Sequence, residues 1–299
     1  MADRSHRRKS RRQQLQASHQ KNWLTGRHAV TEALNSGVWP IVELYLAEAG
    51  DDHGNNVEEA DFNPSVSSNA NDDVELAVDP EPANRSVLTA ALARDIEPVP
   101  VSRDRLTQLC GSRHHQGVAA RMGEFPYRTF EQQFATDRQP EDFGDQLVVV
   151  CDRIQDSHNF GAILRCCDGM NVSAVIVANQ QQAAVSPQVA RSSAGAVNHV
   201  PIVLTDNLGD SLKRLKALGY HIAAATEKTD QPAWSTAMSG SIALVIGSES
   251  VGVEQELLEQ CDSKLMIPMQ GQVSSLNAAV ATGILLYELR RRNAPTSLE

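Results

Sequence analysis

The sequence predicts an α/β fold: a parallel sheet flanked by helices, preceded by a smaller α/β domain. Three observations predict it. From residue 147 to 292, short apolar runs alternate with longer helical patterns, as they do when strands and helices follow one another in a parallel sheet. Three of those apolar runs end in a turn rich in Gly, Ser or Asn that leads into a helix. A polar stretch, residues 123–146 with Pro126 and Pro140, separates this region from the shorter elements before it and reads as a linker.

In chain order, residues 1–21 form a basic tail in which Arg4, Arg7, Arg8, Lys9, Arg11, Arg12 and Lys21 stand against Asp3 alone. The small domain, 22–122, is expected to hold a helix near Ala29–Asn35, a strand at Ile41–Ala47 and a helix at Ser86–Arg94. A strand at Val99–Ser102, a helix at Arg103–Cys110 and a strand at 117–122 complete it. It is interrupted at 51–83 by ten acidic residues without a single Lys or Arg, in a stretch rich in Asn, Ser and Pro and lacking periodicity. Such a segment buries too little apolar surface to fold, so a disordered, solvated insertion is expected there.

The large domain, 147–293, opens with Leu147–Cys151, a continuous apolar run of the kind buried on both faces of a sheet. Asn159 is placed to cap the helix that follows, 160–170. Next come strand Ala174–Ala178, helix Pro187–Ala194, strand Ile202–Leu204 and helix Leu208–Leu218. Strands His221–Thr226 and Ile242–Ile246, helix 254–260 and strand 264–268 lead to the last helix, 275–292, and a tail, 294–299. Ser274 or Ser275 can cap that last helix, which carries Leu276, Val280, Leu285 and Leu289 and ends on Arg290, Arg291 and Arg292.

Arg165 is the side chain that draws attention first. It follows Gly161 by four residues, and helical side chains lean toward the N-terminus, so its guanidinium is expected over a bare position beside unpaired backbone N–H groups. The second turn, Gly247-Ser-Glu-Ser-Val-Gly252, has the glycines that a tight turn and a close approach to a ligand require. The third runs from Gly271 through Ser275, Leu276 and Asn277. Ligands of open α/β sheets gather outside the carboxyl ends of the strands, which makes these three turns one expected site.

Composition excludes several classes. The chain has 299 residues, enough for two domains, and no apolar run long enough to span a bilayer. Its first twenty residues are too polar for a secretory signal. Cys110, Cys151, Cys166, Cys167 and Cys261 show neither CxxC spacing nor a neighbouring His cluster, so free thiols in a reducing, cytoplasmic setting are expected and no metal site. A GxGxxG after the first strand and a P-loop are both lacking, which sets aside a conventional dinucleotide or nucleotide site.

The set Asn159…Arg165, Gly247…Glu249…Gly252 and Ile267-Pro268-Met269…Ser275-Leu276-Asn277-Ala278 resembles the three motifs of the SpoU-type RNA ribose 2'-O-methyltransferases, of the SPOUT superfamily. Gly26-Arg-His-Ala-Val30 and His115-Gln-Gly117 resemble the small RNA-binding (L30e-like) domain of the subgroup that methylates guanosine in 23S ribosomal RNA. The resemblance covers roughly residues 22–47 and 85–292 and departs from the pattern at Val253, Ala278-Ala279 and Cys166-Cys167. It implies a C-terminal trefoil knot at roughly 220–292, a homodimer across it, and S-adenosylmethionine as cofactor. Cofactor contacts would fall at Thr226, Gly247, Ile267 and Leu276, of which Ile267 and Leu276 equally suit a plain core. Catalytic roles would fall to Arg165, Asn159, Glu249, Asn277 and Ser275.

The implied substrate is a guanosine ribose 2'-OH of 23S ribosomal RNA. A transfer RNA substrate and a non-catalytic RNA-binding assembly factor are the alternatives. Two accounts of Arg165 stay open: a base that takes the hydroxyl proton, or a permanent cation that grips a phosphate and the developing alkoxide. Arg191 would reach RNA phosphate or stand as a surface residue. The net charge of −10 is concentrated in the insertion, so RNA affinity would come from local patches. The basic tail reads as an RNA-binding arm, as a solubilising tail, or as a transit peptide, against which stand Asp3 and its few apolar residues.

Overall fold

The computed structural model describes residues 22–48, 81–134, 146–236, 238–273 and 275–293. The expectations for the basic tail, for most of the acidic insertion and for the tail at 294–299 lie outside the described residues.

Two compact units are present. The first is built on a four-stranded sheet in the order β1-β4-β2-β3. Its strands are β1 (Trp23–Thr25), β2 (Ile41–Ala47), β3 (Val99–Val101) and β4 (Val118–Met122), with helices α1 (Arg27–Ser36), α2 (Arg85–Leu92) and α3 (Arg103–Cys110). β4 runs antiparallel to both β1 and β2, whereas β2 and β3 are parallel. α3 has the expected bounds because its ends are written locally. Ser102 Oγ accepts the Arg105 N–H at 3.2 Å, and Gly111 takes the left-handed conformation, φ 69°, that stops a helix. β1 was not foreseen, since three residues show no period. Residues 81–83 also correct the sequence reading: they are ordered rather than part of a disordered insertion. Pro82–Asn84 form a 3₁₀ turn, and the Glu81 carboxylate takes both Nε and Nη2 of Arg103, at 2.7 and 2.8 Å.

The second unit holds a six-stranded sheet, parallel at every pairing, in the order β10-β8-β9-β5-β6-β7. The strands are β5 (Leu147–Asp152), β6 (Ala174–Ala178), β7 (Ile202–Thr205), β8 (His221–Ala225), β9 (Ile242–Gly247) and β10 (Ser263–Leu265). Its helices are α4 (Phe130–Gln133), α5 (Ser157–Gly169), α6 (Pro187–Ser192), α7 (Leu208–Ala217), α8 (Gln255–Leu258) and α9 (Ala278–Asn293). The apolar runs are central because parallel strands are covered on both faces: all six residues of β5 are buried.

The first half of the expected linker belongs to this unit. Arg128 pairs with β7 through Arg128 N–Ile202 O and Leu204 N–Arg128 O, at 2.9 and 3.0 Å. Phe130 and Phe134 then enter the core, at 5% and 1% exposure. Two aromatic rings outweigh the polar residues around them, since each buries a large apolar area. Strand β10 is shorter than expected, and beyond Leu265 the chain bridges to Pro232 through Met266.

Both expected helix caps are corrected. α5 begins at Ser157, and its cap is Asp156, whose Oδ1 accepts the Asn159 N–H at 2.8 Å. α9 is capped by Asn277, whose Oδ1 accepts from Ala279 and Val280 at 3.0 and 3.3 Å, not by Ser275.

Candidate active site

The carboxyl ends of β8, β9 and β10 and the start of α9 enclose a cavity of about 360 Å³. Apolar side chains of Ile246, Leu265, Ile267, Leu276 and Leu285 line one part of it, and Thr226, Glu227, Ser248, Glu249 and Ser275 supply polar groups. That combination, apolar walls with a few placed polar groups, suits an amphipathic small molecule. Thr226 is held by its own amide, which donates to Leu265 O at 2.9 Å. Ile267 and Leu276 are half-buried, so both remain open to the cavity rather than sealed in the core.

Gly247 leaves no room for a side chain. A Cβ there would collide with the backbone of Gly252 and Val253, because the loop folds back directly against the strand end. The Gly252 N–H closes the loop on Ser248 O at 2.8 Å, and Gly252 has φ 73°.

At the cavity mouth three of the predicted residues meet. Asn277 Nδ2 donates to Asn159 Oδ1 at 2.8 Å and also to Glu249 Oε1. Glu249 Oε1 further accepts the Ala278 N–H at 3.1 Å, the favourable place for a negative charge at a helix start. One residue from each of the three turns is therefore joined in a single hydrogen-bonded cluster. Beside it lies a second cleft of about 300 Å³ lined by Arg153, Asn159, Ser248, Glu249 and Val251 among others.

Arg165 is placed otherwise than the sequence suggests. The bare position at Gly161 is filled by α6, where a Cβ would come within 2.9 Å of the Ser193 nitrogen, so no guanidinium lies over it. Six residues of helix separate Arg165 from Asn159, a rise of about 9 Å and a rotation of about 240°, so the two do not share a face. Arg165 is exposed, and among the described residues it has no hydrogen-bond or ion-pair partner. Arg191 donates to Gln188 Oε1 at 2.9 Å, within α6.

A residue that the sequence reading passed over is Asp152. Its carboxylate is 3% exposed, takes Nε and Nη2 of Arg153 at 3.0 and 3.1 Å, and accepts the Glu254 N–H at 2.8 Å. An acid that closes an otherwise apolar strand was its one visible signal.

Cys151, Cys166 and Cys167 are poor nucleophiles. Burial pushes the Cys151 thiol up to about 12 and the Cys167 thiol well above its ordinary value, and it raises Cys166 beside Arg165 as well. Among the described residues no group of His, Cys, Asp and Glu is arranged to hold a metal, and no helix is long and apolar enough to cross a membrane.

Comparison with known proteins bears on this site. Residues 146–287 match the model of the SpoU rRNA Methylase family, and residues 74–128 match that for RNA 2'-O ribose methyltransferase substrate binding. A Staphylococcus aureus protein described as a TrmH family tRNA/rRNA methyltransferase is 31% identical over 271 residues, 90% of this chain and 95% of the relative. The AdoMet-bound rRNA methyltransferase of Sinorhizobium meliloti shares the fold with a TM-score of 0.69 at 22% identity, over 95% of this chain and 92% of its own. A crystal structure of an RNA 2'-O ribose methyltransferase gives a TM-score of 0.64 at 25% identity, over 93% and 91%.

Proposed function

The chain belongs to the SpoU methylase family, with the TrmH-type tRNA/rRNA methyltransferases, and from that premise we propose that it methylates a guanosine ribose 2'-OH in 23S ribosomal RNA. The observation that carries the reading is the Asn159–Asn277–Glu249 cluster at the mouth of a cavity built from strand ends. The residues present fit S-adenosylmethionine there: Thr226 and Gly247 offer backbone groups, and Ile267 and Leu276 offer apolar surface for an adenine ring. When bound, the cofactor supplies an electrophilic methyl carbon.

The protein's part is to place the hydroxyl and to manage its proton. Asn277 is fixed from both sides by Asn159 and Glu249, so the cluster can orient a ribose without a rearrangement of its own. Ser275 stands exposed on the cavity wall and completes the polar side. Arg165 is exposed and unpartnered among the described residues, so its guanidinium donors are open to a phosphate of the RNA. That supports the clamp over the base.

The C-terminal segment is read as the family's trefoil knot, and the enzyme as a cytoplasmic homodimer. What supports the dimer is an apolar stripe on α9: Val280, Ile284 and Tyr287, spaced four and three residues apart, are 49%, 44% and 60% exposed. Ribosomal RNA is favoured over transfer RNA because residues 74–128 match a substrate-binding family of their own.

Labelled S-adenosylmethionine, unmodified 23S ribosomal RNA and bulk transfer RNA test the reading. Wild type is expected to yield 2'-O-methylguanosine in the ribosomal RNA, and Arg165→Ala none. Label in transfer RNA would overturn the substrate, and RNA binding with no label in either would favour an assembly factor. Near-full activity in Arg165→Lys would exclude a bidentate phosphate grip.

A further inference from the structure

We propose that Asp152 is a positioning residue for the reaction, the anchor of the loop that presents Glu249; this rests on the functional reading above. Asp152 ends β5, is 2% exposed, and takes no part in the chemistry as derived so far.

It grips the loop at both ends. Its backbone lies in register with Gly247, the last residue of β9, and its side chain accepts the N–H of Glu254, just beyond the loop. Between those two points the chain makes its tight return through Ser248 and Gly252. Glu249 projects from that return to hold Asn277 and the first amide of α9. One carboxylate thus fixes the base of the loop, and the loop fixes the cluster.

Arg153 makes this arrangement tenable. A buried carboxylate needs a counter-charge, and Arg153 supplies it through two hydrogen bonds from the adjacent position. Arg153 has φ 57°, a conformation that costs a non-glycine residue energy and persists where the surroundings enforce it. Ser248 and Glu249 line both the cavity and the second cleft, so a loop released from Asp152 alters both.

The test compares Asp152→Ala and Asp152→Asn with wild type in steady-state methyl transfer, with S-adenosylmethionine and the RNA that wild type methylates varied in turn. Misplacement of about 1 Å can cost about 100-fold, so Asp152→Ala is expected to lose about that much in kcat. Its KM for S-adenosylmethionine should rise about tenfold, with the KM for RNA unchanged, because the loop lines the cofactor cavity. Asp152→Asn keeps an oxygen for the Glu254 N–H and is expected to recover most of the lost rate. A residue that served only folding would lower the amount of active enzyme and leave both KM values alone; that result overturns the proposal, as does Asp152→Asn failing to exceed Asp152→Ala.

Should Asp152→Ala not fold, hydrogen exchange on the wild type decides. A slowly exchanging Glu254 amide is expected, and a fast one overturns the anchor. Absence of methyl transfer by the wild type to any RNA would sink the functional reading instead, and the exchange measurement would still judge the anchor.

Discussion

A methyl group added at residue 247 has nowhere to go, since the backbone of Gly252 and Val253 occupies its position. Gly247→Ala must therefore push the loop off the strand end. Overpacking of this kind costs about 1–3 kcal/mol, and here it falls on the residues that face the cavity. The expected outcome is a modest drop in melting temperature with loss of S-adenosylmethionine binding by calorimetry; unchanged affinity would show that the loop is not a cofactor wall. At this scale the sequence was readable wherever a residue type is rare in its place. A glycine after an apolar strand, an asparagine before a helix and a glutamate between two glycines all stood out. Asp152 did not, because an acid after an apolar run reads as the first polar residue of a turn. Arg165 was legible as a residue and misplaced in space, because Gly161 serves contact with α6 rather than with the arginine.

At the scale of elements, apolar runs marked five strands of the large sheet to within a residue, because a strand covered on both faces admits few polar side chains, whereas β10 ends three residues before its expected bound. Helix starts were harder, since Asp156 and Asn159, or Ser275 and Asn277, are chemically interchangeable caps and only the backbone path selects between them. The end of α9 carries a pH-sensitive cluster. Hydrogen bonds from Arg291, and then from Arg292, hold the Glu288 carboxyl down at about 2 against burial that opposes them. Arg292 also reaches the carbonyls of Ala233 and Thr236, so the cluster ties α9 to the loop before β9. Because the folded value lies below the ordinary 4.5, this contribution is complete above about 4.5 and is lost as pH falls through about 2. Glu288→Gln is expected to melt below wild type at pH 6, with the gap closing toward pH 2. A gap independent of pH would place the stabilisation in packing instead.

For the whole molecule, the apolar stripe of Val280, Ile284 and Tyr287 calls for a cover. Under the homodimer reading, Ile284→Asp sets an ionised carboxylate into that interface, which costs several kcal/mol. It should sediment as a monomer where wild type sediments as a dimer; equal sedimentation would send the stripe to another role. The parallel sheet itself was predictable from alternation, whereas its strand order, with β9 inserted between β5 and β8, was not, because periodicity carries no information on which strands are neighbours.

That order has a consequence in time. Every side of the cavity is drawn from residues between Ala225 and Leu285, with α9 among them. While the chain is being synthesised, the segment matched for RNA substrate binding, 74–128, leaves the ribosome long before α9 does. At about 5–20 residues per second, the growing protein spends many seconds with that segment made and the cavity still missing a wall. An arrested chain that stops before Ala278 would therefore lack the wall that Ala278, Ala281 and Leu285 give the cavity, and the cavity is complete only once the last helix has been made.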